Sequence, residues 1–211
     1  MKLRIILIAG SLLCAQAGFA AADSKTFTVS ASIPAATSTS IKAFRAAGAA
    51  PAGPTAVGVD FNSAVSGTTL SFDPMTFDAT NGIYLPDHYF FIDIAPSGGS
   101  NVDVTLSYNE GANPNAPAHG LGWKATTTFM KVTGSTETPL SALGPKKMLK
   151  DLSGEHITPA ETSGAFLRVY LGIVTKDPSA AIPDPAASEV FSAADKPGSY
   201  DGALVITATT S

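Results

Sequence analysis

Cysteine is all but missing from this chain: Cys14 is the only one among 211 residues. A single thiol cannot form a disulfide within the chain, and a zinc or iron–sulfur site built from several cysteines is excluded equally. Charge is sparse as well, at 14% of residues against 45% hydrophobic, the reverse of the balance in disordered chains. Thirteen basic residues against seventeen acidic ones give a net charge of −4. A nucleic-acid binder concentrates positive charge to neutralise phosphates, and no such patch is present. One tryptophan and five tyrosines are few for a flat aromatic ligand-binding face. No apolar run reaches the ~20 residues of a membrane-spanning helix, and no repeat of fixed period is present.

Motifs that carry chemistry are missing too. His88, His119 and His156 lie far apart and match no metal-ligand spacing. Asp87 and His88 are adjacent, and neighbours on a strand point to opposite faces, so no acid–base pair is expected there. There is no Gly-x-Ser-x-Gly elbow for a nucleophile. Ser97-Gly98-Gly99-Ser100 lacks the lysine and the following helix of a phosphate loop. Asp60-Phe61-Asn62 is a fragment of a calcium loop without the remaining ligands. Asp73 and Asp78 read as parts of a solvated loop. Lys146, Lys147 and Lys150 read as a solvated face, with a contact to acidic glycans or a partner as the alternative. The sequence thus offers no catalytic, cofactor-binding or metal residues, and the chain is expected not to be an enzyme.

What is present begins with a leader. Lys2 and Arg4 precede the apolar run Ile5–Ala15, and small residues follow at Ala15, Ala17, Ala20 and Ala22. This is the pattern of a cleaved signal peptide over residues 1–22, with cleavage after Ala20 or Ala22. Cleavage would remove Cys14, so the exported chain would have no thiol and would be held by packing and backbone hydrogen bonds alone.

Period-2 patterning dominates the rest. From Lys25 to Ile33, Phe27, Val29, Ala31 and Ile33 alternate with Thr26, Thr28, Ser30 and Ser32, and Pro34 ends the run. The segment from Ile41 to Val59 reads as a loop plus a short strand, and Thr68–Phe72 as another short strand. Tyr89–Ile94 is apolar at nearly every position, as in a strand buried on both faces. Val102, Val104, Leu106 and Tyr108 alternate with polar residues, and these two segments read as a hairpin. Trp123–Val132 is β-prone, Ser141–Leu152 has weak helical spacing, and Ala165–Val174 is a further long strand. Asp177–Asp195 is a Pro/Ala-rich loop, and a strand runs from Tyr200 towards the last residue. Six or more short strands separated by turn signals predict an all-β sandwich.

Both ends of the chain are strand-like, although termini usually fray. The plain explanation makes them the first and last strands of one sandwich. The alternative is assembly by strand donation: a sandwich lacking a strand leaves an apolar groove and unpaired backbone groups, and a neighbour's extended segment fills both. The donor must alternate apolar residues and carry little charge, and Thr26–Ile33 does both. Burying its Phe, Val and Ile side chains would contribute roughly 1.5–3 kcal/mol each.

The segment Lys25–Pro34 resembles the mature start of major fimbrial subunits of the colonisation-factor type, the alpha class of chaperone–usher pilins. Gly198-Ser199-Tyr200-Asp201-Gly202 is similar to their final Gly-x-Tyr-x-Gly turn and strand. Common-pilus and spore-coat-U-like pilins are similar neighbours. The resemblance implies an incomplete immunoglobulin-like sandwich, residues 37–211, preceded by a donor-strand extension, residues 23–36. It implies that Phe27, Val29, Ala31 and Ile33 form the donor face. Tyr200, Leu204 and Ile206 would line the groove or the core beneath it, and Gly202 would allow close backbone approach or a bulge. The plain alternative for Tyr200 and Gly202 is a turn and a core strand.

The partners implied are a periplasmic chaperone, an outer-membrane usher, further copies of the same subunit in a homopolymer, and a tip adhesin. The location implied is the periplasm in transit and then a cell-surface fimbria. A single domain of ordinary size suits a repeated shaft subunit first and a minor subunit next. From another class, a monomeric exported β-sandwich carbohydrate-binding module remains the alternative.

Overall fold

Two sheets of different character face each other across one apolar core. The structure, a computed structural model, describes residues 27–32, 39–49, 65, 68–96, 101–116, 119–140, 143–144, 146–177 and 182–210. The expected leader, Ile33 and the Asp60–Asn62 fragment lie outside the described residues. The front sheet has the order β11 (Ser153–Ile157), β7 (Val102–Glu110), β13 (Tyr200–Thr210), β1 (Phe27–Ser32), β3 (Thr69–Ser71). The back sheet runs β10 (Lys147–Met148), β8 (Ala125–Thr133), β12 (Phe166–Ile173), β6 (His88–Pro96), β2 (Thr39–Ala47), and β9 (Thr136–Pro139) also pairs with β8. A separate hairpin joins β4 (Met75–Asp78) to β5 (Ile83–Pro86). The all-β sandwich expected from the alternation is the architecture observed.

The alternation translates directly into burial. On β7, Val102, Val104 and Leu106 are fully buried, while Thr105 between them is exposed. On β13, Tyr200, Leu204, Ile206 and Ala208 face inward, and Thr207 and Thr209 are exposed. The front sheet therefore has one dry face and one wet face. The back sheet does not. Every residue from Tyr89 to Ile94 is buried, and so is Leu167–Ile173 on β12. Phe90, Ile92, Ile94, Val169 and Leu171 join the inter-sheet core. Phe44, Tyr89, Phe91, Met130 and Tyr170 form a second cluster on the opposite face, with Ile182 packed against it.

That difference corrects the expected hairpin. β6 pairs with β12 and β2, whereas β7 pairs with β13 and β11, so the link after β6 crosses from one sheet to the other. A strand buried on both faces takes a central place in its own sheet with a neighbour on each side, and β6 finds both in the back sheet. β2 is also longer than expected, a nine-residue strand aligned with β6 along its length. The weakly helical stretch resolves into the two-residue β10 and a 3₁₀ turn, Leu149–Asp151. The helical turn α1 lies instead at Leu121–Lys124, just before β8. No helix among the described residues is long and apolar enough to cross a membrane.

Candidate functional site

β13 is built differently on its two flanks. On one side β7 runs antiparallel to it over nine rungs, from Gly202↔Glu110 to Thr210↔Val102. On the other side lies β1, parallel to it, with Phe27↔Tyr200, Val29↔Gly202 and Ala31↔Leu204, as far as Ser32↔Val205. This is the single parallel pairing among the described strands. The outer flank of β1 meets β3 over three rungs, Thr28↔Ser71 to Ser30↔Thr69. Taking β1 away would leave a slot one strand wide between β13 and β3, about 10 Å across at ordinary strand spacing. Three of the expected donor residues thus stand beside three of the expected groove residues, within one chain.

Tyr200 and Gly202 have defined tasks in the wall of that slot. The Tyr200 phenol donates to the carbonyl oxygen of Lys196, at 2.7 Å, and its ring meets Phe191 edge-on with centroids 5.0 Å apart. Burial, with the nearby Asp195 carboxylate adding, pushes the Tyr200 phenol up to about 12. Gly202 gives close approach: it opens the β13–β7 register, opposite Glu110, and the β1 register passes through it without a shift. A Cβ at Gly202 would stand 2.5 Å from Cε2 and Cζ of Tyr108, whose ring crosses the glycine diagonally from β7. Tyr108 donates to Glu110 at 3.1 Å. Glu110 in turn accepts from the backbone N–H groups of Leu121 at 2.8 Å and Gly122 at 2.9 Å, closing the start of α1. Burial first, and then the Glu110 carboxylate, hold the Tyr108 phenol well above its ordinary range.

Leu204 and Ile206 are fully buried in the inter-sheet core. The pairing with β1 ends at Val205, so Ile206 lies beyond the rungs that β1 occupies.

Ionic groups that the sequence left scattered are drawn together. Arg168 on β12 forms a two-pronged pair with Asp93 on β6, at 2.7 and 2.8 Å, and reaches Glu137 on β9 at 2.7 Å. Tyr170 donates to the same Glu137 carboxylate, and the guanidinium lies 4.5 Å from the centre of the Phe91 ring. Lys124 is buried against Asp195 at 2.8 Å and donates to the carbonyl of Val190 at 3.0 Å. Burial alone would raise the Asp195 carboxyl, but Lys124, the N–H of Ser192 and the Asn115 amide together hold it below the usual carboxylate range. These groups line a cavity of about 570 Å³ with His119, Lys176, Glu189 and Lys196. The expected solvated lysine face is corrected as well: Lys146 is nearly buried against Asp184, Lys147 pairs with Glu155, and Lys150 with Asp151.

The three histidines each find a different carboxylate: His88 with Asp87, His119 with Glu189, and His156 with Asp103. The Asp87–His88 contact contradicts the expectation that the two side chains point apart. Asp87 lies in a bend before β6, where strand alternation does not apply. Among the described residues no group of three or more His, Cys, Asp or Glu side chains is placed to hold a metal ion.

Sequence signals for part of this existed. Arg168 and Asp93 are lone charges inside apolar strands, and such charges need a partner. Glu137 and Lys124 carried no comparable signal. Comparison of the chain with protein-family models, with curated proteins and with solved structures returns no match.

Proposed function

We propose that the chain is a structural subunit of an adhesive surface fimbria, exported to the periplasm, held there by a chaperone and polymerised at an outer-membrane usher by donor-strand exchange. The observation that carries the reading is the place of β1. An alternating, nearly uncharged strand from the start of the chain lies between β13 and β3, in a slot that any similar strand could fill. Its pairing is parallel, and parallel ladders are slightly weaker per residue than antiparallel ones. A second copy's strand entering antiparallel to β13 would improve the six-rung flank and turn only the three-rung flank against β3 parallel, a net gain on the occupant it displaces. Phe27, Val29, Ala31 and Ile33 would be the inserted face. Tyr200 supports the immunoglobulin-like form of the sandwich. Its phenol bonds a carbonyl four residues upstream, as in the tyrosine corner of such folds.

The experiment removes the strand and then one face of it. A chain lacking Thr26–Ile33 should form no fibres by electron microscopy while still binding its chaperone. Val29→Asp should shorten or abolish fibres, and Thr28→Asp should do so far less. Fibres from the deletion variant, or equal effects of the two substitutions, would overturn the reading.

The cavity beside Lys124 favours the alternative, a monomeric exported β-sandwich carbohydrate-binding module. Its ionic groups are turned on one another, Lys124 to Asp195 and His119 to Glu189, which leaves the cavity the weaker candidate.

A further inference from the structure

We infer that His88 is a positioning residue for the strand slot, a latch that ties the back sheet to β3 and so fixes the outer wall against which β1 lies. His88 begins β6 in the back sheet and is 2% exposed. Its Nε2 lies 2.7 Å from the backbone carbonyl oxygen of Ser71 on β3, in the front sheet. A carbonyl only accepts, so Nε2 carries the proton and donates across the gap between the sheets. The other ring nitrogen is held between the Asp87 carboxylate and Arg45 Nη2, the latter at 3.0 Å. The ring stacks on Phe72 at 6.0 Å and meets Phe90 edge-on at 5.1 Å. Every side of the imidazole is occupied, and its one bond out of this nest goes to the edge strand.

β3 needs such an anchor. It has three residues and three rungs to β1, and on its other flank it meets no strand among the described residues. Leu70 and Phe72 bury their side chains in the core, which fixes its depth but not its distance from β13. The bond from His88 to Ser71 fixes the backbone at the residue that faces Thr28. A slot with a loose outer wall would hold its strand less firmly and surrender it faster. That last step, from latch to exchange, rests on the donor-strand reading.

His88→Phe keeps the stacked ring and removes the donor; His88→Gln restores an N–H donor. Hydrogen exchange on the purified chain should show the amides of Thr69–Ser71 and Phe27–Ser32 exchanging roughly tenfold faster in His88→Phe, the scale of one lost buried hydrogen bond. Exchange in β7, β12 and the second half of β13 should stay unchanged, and His88→Gln should recover part of the protection. Loosening spread evenly through the chain, or no change at β1 and β3, would overturn the inference.

Should His88→Phe not accumulate as folded protein, Asp87→Ala and Arg45→Ala release the ring's other nitrogen at positions more than half exposed. They should give the same local pattern at about two- to threefold, as befits exposed ionic contacts. A labelled peptide of residues 25–34 separates the latch from the reading beneath it. Faster uptake by His88→Phe than by the unmodified chain supports both. A local exchange change with no peptide uptake by either protein upholds the latch and defeats donor-strand exchange.

Discussion

The two sheets are made of similar residues yet behave as opposite kinds of object. The back sheet is dry on both faces: its central strands β6 and β12 carry core residues on one side and the Phe44, Tyr89, Phe91, Met130 and Tyr170 cluster on the other. The front sheet is dry on one face, and one of its inner strands, β1, is the first strand among the described residues. A strand embedded in two dry faces cannot leave without unfolding the domain. A strand held by six parallel rungs on one flank and three antiparallel rungs on the other has fewer rungs to lose. On the proposed donor-strand reading, the contrast separates permanence from exchange: the back sheet would be the frame, and the front sheet would carry the joint.

The largest expected effect comes from breaking the frame. Arg168 is 1% exposed and pairs with two carboxylates, Asp93 and Glu137, across three strands of the back sheet. Arg168→Ala would leave both acids buried without their cationic partner, Glu137 keeping the Tyr170 hydroxyl, and breaking a buried pair in this way typically costs ~3–5 kcal/mol. Thr128→Lys, on the same outer face beside Tyr170, should destabilise to a comparable degree, because an ammonium would enter a buried surface. Denaturant unfolding should show both as a lower midpoint with little change in slope. Either variant unfolding like the unmodified chain would mean that the outer face of the back sheet is not part of the frame.

A smaller effect is expected in acid, near the start of β13. The Asp195 carboxyl titrates lower in the folded chain than in the unfolded one, because Lys124, Ser192 and Asn115 favour its ionised form despite burial. The folded state therefore binds fewer protons than the unfolded state in this range. The group's contribution is present above about pH 4 and is lost as pH falls through the lowered value. Asp195→Asn should flatten the stability profile below pH 4, at the expense of stability near neutrality. An unchanged acid profile would show that Asp195 does not anchor this end of the front sheet.

Much of this contrast stands in the sequence, but as two patterns whose meaning is separate from connectivity. Alternation at Val102, Val104 and Leu106, and at Leu204, Ile206 and Ala208, gives a one-faced sheet. Unbroken apolarity at Tyr89–Ile94 gives a two-faced one. The short link between β6 and β7 fits a hairpin by length, yet strands of unlike burial belong to unlike sheets, and the patterns themselves contain the correction. The small hairpin of β4 and β5 escaped because Met75–Asp78 is only four residues long, with its two middle residues exposed. Of the slot, the donor alternation was legible; at Gly202 the resemblance left close approach, a bulge and a plain turn open, and the Tyr108 ring that crosses it carried no signal. The His88 bond was not, because its acceptor is a backbone carbonyl, which every residue has. Nor was Glu137, a charge in a polar segment that only the fold brings over Arg168.

The smallest effect is the sharpest test of the contrast. Thr207 on β13 and Thr128 on β8 are the same residue type, each on the face of its strand turned away from the inter-sheet core. Thr207 is exposed and pairs with Thr105, which is exposed too; Thr128 is 5% exposed and pairs with Tyr170. Thr207→Lys adds a charge where water already reaches, and surface changes of that kind usually stay within ~0.5 kcal/mol. The lysine stem can lie along the sheet with its ammonium in solvent. The same substitution should therefore be nearly silent in one sheet and severe in the other, read as the difference between two unfolding midpoints. If Thr207→Lys proves as damaging as Thr128→Lys, then the outer face of the front sheet is covered as well, and the distinction between frame and joint must rest on the β1 ladder alone.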